Sequence, residues 1–173
     1  MREKNSAQSG RAHGDSQREN ENYHGVTEYT EIHRGKMRIT QKFIHEVSYK
    51  IIGCAIEVHK HLGPGLLESV YEACFVEELK DQGLFVEPQI WVPVNYKGKV
   101  LGGKLKLDLL VERLVVVENK AVEVLIPLYE AQMLSYLKLS NKPKGLLINF
   151  NTVNLSSHVV SLVTEEFARL PEY

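Results

Sequence analysis

The chain reads as an α/β domain with a mixed sheet of four or slightly more strands flanked by helices. Three observations predict this. Apolar residues recur at helical spacing from Phe43 to Leu79, the period shifts towards two from Phe85, and a helical stretch opened by Pro127 separates the last strand of that run from another apolar strand. An antiparallel meander followed by a helical crossover implies a sheet of mixed direction with helices covering it.

Met1 to about Lys36 is rich in Glu, Asn, Ser, Arg, Gly and His and has no periodic apolar positions. It cannot bury enough surface to offset its ordering entropy, so residues 1–38 are expected to form a flexible tail and residues 39–173 a single domain. In that domain Phe43, Val47, Ile51, Ile52, Ala55, Val58 and Leu62 mark a first helix, with Thr40 as N-cap. Gly63-Pro64-Gly65 breaks it, and Pro64 is suited to open a second helix through Leu67, Val70, Tyr71, Cys74, Phe75 and Leu79. Strands are expected over Val86–Tyr96, Lys104–Val111, Leu114–Val122 and Lys144–Phe150, with a turn at Lys97-Gly98-Lys99. Leu114-Val115-Val116-Val117 is apolar on both faces and therefore central. A helix spans Pro127 to about Leu139, and a short strand and terminal helix follow between His158 and Leu170.

Composition excludes several classes. With 173 residues and 43% hydrophobic residues, one well-buried core is affordable and two are not. No apolar run approaches the roughly 20 residues that span a bilayer, so no membrane role is expected. The polar N-terminus lacks a secretory apolar stretch. Cys54 and Cys74 both fall in apolar helical patterns and read as free buried thiols, which points to a reducing cytoplasm. A net charge of −1 argues against a generic high-affinity nucleic-acid binder, though a local basic patch is compatible with it.

Chemistry concentrates on two strands. Lys106, Asp108 and Leu110 share a face by alternation, and so do Glu118 and Lys120, with Asn119 pointing away. Charged groups at the end of apolar segments need a partner, a metal or a function. Two neighbouring carboxylates form the hard-oxygen site that magnesium prefers, and a lysine beside it can orient water and offset phosphate charge. The simpler reading is a buried ion pair of Lys120 with Glu118 or Asp108. Glu68 lies on one side of the second helix with Gly65 and Tyr71, which allows it to point at the strand carboxylates; a first-turn glutamate favoured by the helix dipole is the plainer alternative. Gln132 and Tyr136 form a polar i, i+4 pair on the later helix, and a partly exposed helix edge explains them equally simply.

Gly63-Pro64-Gly65-Leu66-Leu67-Glu68-Ser69-Val70-Tyr71-Glu72 resembles the signature of the GxxExxY protein family. Asp108-Leu109-Leu110-Val111, Glu118-x-Lys120, Glu130-Ala131-Gln132 and Gly145-Leu146-Leu147-Ile148-Asn149-Phe150 follow in the order that family shows, so the resemblance covers about Thr40 to Val163. It implies a PD-(D/E)XK nuclease with a restriction-endonuclease-like core. It further implies metal-binding Asp108 and Glu118, a catalytic Lys120, accessory Glu68 and Gln132, and magnesium, with manganese as substitute, as cofactor. The chain departs from the family at Asn119, usually apolar, whose backbone carbonyl can still serve as a metal ligand. It departs also at Lys106, where arginine is expected.

Other features are weaker. His59 and His61 point in different directions on a helix and lack a third ligand, so zinc is not expected; His59 is read as support for the glycine turn or the site's edge. Lys97, Lys99, Lys104 and Lys106 gather on one hairpin, either as a solvated edge or as phosphate contacts, with Lys104 and Lys106 the nearest to the acids. The function expected is a metal-dependent nuclease cutting DNA or RNA, with a homodimer compatible. The rival from another class is a catalytically silent module that keeps the fold and binds nucleic acid or protein.

Overall fold

Thr40 opens the first helix, α1 (Gln41–Leu62): its Oγ1 accepts the N–H of Phe43 at 3.1 Å, satisfying one of the orphan donors of the first turn. The structure, a computed structural model, describes residues 38–173, without the side chains at positions 103 and 104. The tail expected before Ile39 thus lies, Arg38 apart, outside the described residues, as does the side chain of Lys104. Helix α1 ends at Gly63, whose φ of 68° and ψ of −177° are accessible essentially only to glycine.

Pro64 does not open the second helix. Residues 63–67 form a loop, and α2 runs Glu68–Asp81. The reason is a hydrogen bond that the sequence does not display. The buried Tyr71 hydroxyl donates to Gly63 O at 2.6 Å and accepts from Leu66 N at 3.1 Å, so one core side chain satisfies the backbone of the loop. Gly65, at φ 97°, supplies the second left-handed step.

Strands β1 (Val86–Tyr96) and β2 (Lys99–Val111) form a hairpin about Lys97 and Gly98, both at positive φ, as a two-residue loop of the twist-matched kind requires. Strand β2 begins five residues before the expected Lys104, because pairing resumes beyond Gly102 and Gly103, with Leu101 opposite Val94 and Val100 opposite Asn95; at the glycines the register shifts, between Val92 and Val94. Strand β3 (Val115–Lys120), helix α3 (Pro127–Ser140), β4 (Lys144–Asn149), a 3-10 turn (Leu155–Ser157), β5 (Val159–Val163) and α4 (Glu165–Ala168) complete the fold. The five strands lie in the order β1-β2-β3-β4-β5, parallel between β3 and β4 and antiparallel elsewhere. The apolar run of β3 is indeed central. Among the described residues no helix is long and apolar enough to cross a membrane.

Two apolar clusters sandwich the sheet. On one side α1 and α2 pack through Ile51, Tyr71 and Phe75 on Val111, Val117, Ile148 and Phe150, with Tyr71 stacked on Phe150 at 4.8 Å between centroids. On the other, Met133 and Leu137 of α3 cover Leu110, Val116 and Leu147. Helix α3 comes down directly on Gly145, where a Cβ would meet Met133 Sδ at 2.6 Å. Cys54 is buried as expected, but Cys74 is exposed, since Tyr71, Phe75, Val76 and Leu79 already fill the buried stripe of α2.

Asn119 is wholly buried in β3, on the face shared with Val117 and Ile148, and neither polar atom of its amide has a hydrogen-bond partner. An unpaired buried amide costs about 1–3 kcal/mol. Asn119→Val should therefore raise stability by about 1 kcal/mol or more in urea denaturation. A destabilised variant would show that the amide has a partner in solution.

Candidate active site

Strands β2 and β3 pair only from Val111↔Val115 to Leu109↔Val117. Past that point the ladder stops, and the Asn119 N–H donates instead to Asp108 Oδ2 at 3.0 Å. The strands part at Asp108, while β3 continues alongside β4 with Glu118 opposite Leu147 and Lys120 opposite Asn149. The parting coincides with a change of face in β2. Leu105 and Leu107 pack in the α3 cluster, whereas Leu109 and Val111 pack against α1 and α2. Across from Asp108, Gln89 adopts φ 55°, a kink that lets the outer hairpin turn over. Lys106 and Leu110 therefore do not share a face as simple alternation requires.

Glu118 and Lys120 line the opening. Lys120 Nζ donates to Glu118 Oε1 at 2.7 Å and to Asn119 O at 3.2 Å, and lies 5.6 Å from the centroid of the Tyr129 ring of α3. From the other side α2 brings Glu68 and, one turn on, Glu72. Glu72 is held by Gln89, whose Nε2 donates to both carboxylate oxygens at 2.6 and 2.7 Å. The end of β3 is fixed by the buried Asn149, which accepts from Val122 N at 3.1 Å and donates to Val122 O at 2.8 Å.

A family model described as the PD-(D/E)XK nuclease superfamily matches residues 45–161, from α1 into β5. The chain belongs to the PD-(D/E)XK nuclease superfamily. Comparison with curated proteins finds no match, and comparison with solved structures finds none either.

The structure brings Glu68, Asp108, Glu118 and Lys120 together, and their charges act on one another. Gln132 and Tyr136 hydrogen-bond each other at 2.5 Å, beyond Tyr129 on α3. His59 stands at the loop after β4: its ring nitrogen donates to Thr152 O at 2.7 Å, while its backbone carbonyl accepts the Gly63 N–H that ends α1. Tyr71 acts on the glycine loop and so sets where α2 and Glu68 begin. Sequence reasoning missed Glu72, Gln89, Tyr129 and Asn149. Glu72 had a signal, since it lies one helical turn from Glu68, and so had Asn149, a polar residue ending a strand apolar on both faces.

The electrostatics are unbalanced. Burial, then the Asp108 charge, pushes Glu118 up to about 7, against the pull of Lys120. Burial likewise raises Asp108, although the Asn119 N–H, Lys120 and Lys106 favour its charge. Burial raises Glu68 and Glu72 as well. Desolvation works against the Lys120 ammonium, but the Glu118 hydrogen bond and the surrounding carboxylates outweigh it, so Lys120 sits above the ordinary lysine range. Glu118 Oε2 is buried with no hydrogen-bond partner. Among the described residues no three acidic, histidine or cysteine side chains converge into a complete metal cage. Two carboxylates and a backbone carbonyl still suit magnesium, which keeps several of its waters. The donor set fits a divalent cation.

The sign of the pH dependence follows. Glu118 ionises near 4.5 in the unfolded chain and near 7 when folded, so stability falls as pH rises across that window, by about 3 kcal/mol if this carboxyl acts alone. Asp108→Asn keeps an oxygen for the Asn119 N–H and removes a charge that raises Glu118. With chelator present, its stability should fall less steeply between pH 4.5 and 7 than that of the parent. An unchanged slope in urea titrations would mean that the Asp108 charge does not act on Glu118.

Proposed function

We propose that the chain is a metal-dependent nuclease that hydrolyses phosphodiester bonds in DNA or RNA, and that within its superfamily it belongs with the GxxExxY proteins. The observation that carries this reading is the buried, unpartnered Glu118 Oε2 beside Asp108, where β2 and β3 separate. Superfamily membership makes nucleic acid the expected substrate and a divalent metal, typically magnesium, the expected cofactor.

Asp108, Glu118 and the Asn119 carbonyl would hold the ion, with manganese able to replace magnesium. A bound divalent ion supplies Lewis-acid polarisation of a phosphate and a more acidic water. The remaining work belongs to the chain. Lys120, held as an ammonium by its acidic neighbours, offsets charge on a phosphate oxygen and orients the attacking water; in that charge state it donates rather than abstracts a proton. Glu68, against Lys120 and the backbone of Ala121, tunes the charge of the lysine. Gln132 and Tyr136, on the same helix as Tyr129, support the far edge, and Lys106 contacts the substrate backbone. Free thiols at Cys54 and Cys74 fit a reducing cytoplasm, and a homodimer that presents two such centres belongs to the same proposal.

One observation favours a non-catalytic binding module instead: the Lys120–Glu118 ion pair forms in the protein alone, at 2.7 Å. Melting curves separate the two. Manganese should stabilise the protein by roughly 1.4 kcal/mol at ten times its Kd, a rise of about 2–4 °C, and Asp108→Asn should lose that rise. A flat response would favour the binding module. In cleavage assays on labelled DNA and RNA, Lys120→Ala should lower turnover about 100-fold or more with its fold retained, as should Lys120→Arg. Full activity in either would remove Lys120 from the mechanism.

A further inference from the structure

The outer half of the β1–β2 hairpin has two unlike sides. Ile90, Val92 and Val94 pack towards α3, so Trp91, between the first two, stands on the opposite side. It is 59% exposed, in a residue type that is usually well covered. Its partner across the hairpin is Lys106, whose Nζ lies 5.7 Å from the centroid of the indole ring. Lys106 is also near the acidic centre, two residues before Asp108 on β2, and its charge favours the ionised forms of Asp108 and Glu72. A flat aromatic surface and a cation are thus adjacent, next to the point where the strands part. Near the hairpin turn the arrangement recurs: Tyr96 is 59% exposed and Lys97 Nζ lies 5.3 Å from its ring centroid.

We propose that Trp91, with Lys106, is a stacking platform for an unpaired base of a single-stranded nucleic acid whose backbone runs on into the Asp108–Glu118 centre. The proposal rests on the nuclease reading and narrows its substrate to strands with unpaired bases. A duplex offers an indole no free base face except at its ends, whereas every unpaired base carries one. Charge points the same way. The chain has a net charge of −1, and this hairpin brings only a few lysines to bear, too few to hold a duplex by counterion release alone. Stacking compensates, since each base on an aromatic ring contributes about five-fold to a hundred-fold in affinity and tolerates any sequence. Lys106 then serves twice, as a cation on the indole and as a countercharge to the adjoining phosphate.

The chain has one tryptophan, so its emission reports this site directly. The full-length protein in chelator would be titrated with short oligothymidylate, oligouridylate and a blunt duplex of matching length. The single strands should quench the emission, and the duplex should quench it at least about ten-fold more weakly. In fluorescence anisotropy with labelled oligothymidylate, Trp91→Ala should weaken binding about ten-fold or more and Trp91→Phe much less, with melting temperatures confirming that both variants fold. The proposal is overturned by single-strand binding without quenching, by equal quenching with duplex, or by Trp91→Ala binding unchanged. No binding to any nucleic acid also overturns it and leaves Trp91 to a protein partner. Cleavage is scored separately. Metal-dependent cutting without quenching would remove the platform and keep the nuclease, while quenching without cutting would keep the platform and remove the nuclease.

Discussion

The hydrogen bond from the Asn119 N–H to Asp108 Oδ2 is the constraint around which the site is organised. In an antiparallel ladder that N–H would normally meet a backbone carbonyl of the neighbouring strand. Here a carboxylate takes the place of the backbone, so β2 can leave the sheet without orphaning a buried donor. Because β2 leaves, the end of β3 is bordered on one flank by β4 and on the other by an opening, into which Glu118 and Lys120 project. Because Asp108 must stay to receive the N–H, a carboxylate is fixed at the mouth of that opening. The same bond supports the fold and collects negative charge. Lys120 neutralises only part of it, which is why burial leaves Glu118 half-titrated near neutral pH.

Much of this was legible because it depends on local periodicity. The helices, the central β3, the helical crossover and the closeness of Asp108 to Glu118 all follow from spacing and apolar pattern. What could not be read was set by single long-range contacts. Pro64 has the chemistry of a helix opener, yet Tyr71 recruits the loop backbone and delays α2 until Glu68. Alternation assigns Lys106 and Leu110 to one face, yet Gln89 at φ 55° turns the hairpin over between them. Gln89 carries no sequence mark of a left-handed residue; Glu72, 17 positions earlier on α2, receives its side chain, so the kink is a tertiary property. Cys74 fits the helical spacing but loses the contest for burial to larger neighbours.

The two sides of the sheet divide the work unequally. The α1–α2 side stacks Tyr71 on Phe150 and Phe75 edge-on to the same ring, which makes a rigid base for the start of α2. The α3 side is thinner and closes on Gly145, where the absent side chain lets the helix approach. Acids therefore come from the heavily packed side and from the sheet, and the aromatic ring beside Lys120 from the lighter one. Precision is concentrated where carboxylates must be held against their own repulsion.

Asn149 clamps both the N–H and the carbonyl of Val122, so the chain leaving β3 is anchored just past Lys120. Between that anchor and Pro127, the start of α3, Glu123, Val124 and Ile126 are exposed. Strain introduced in this connection would be absorbed before it reached the strand end. It is a segment suited to carry an inserted loop or a grafted element without moving Glu118 and Lys120.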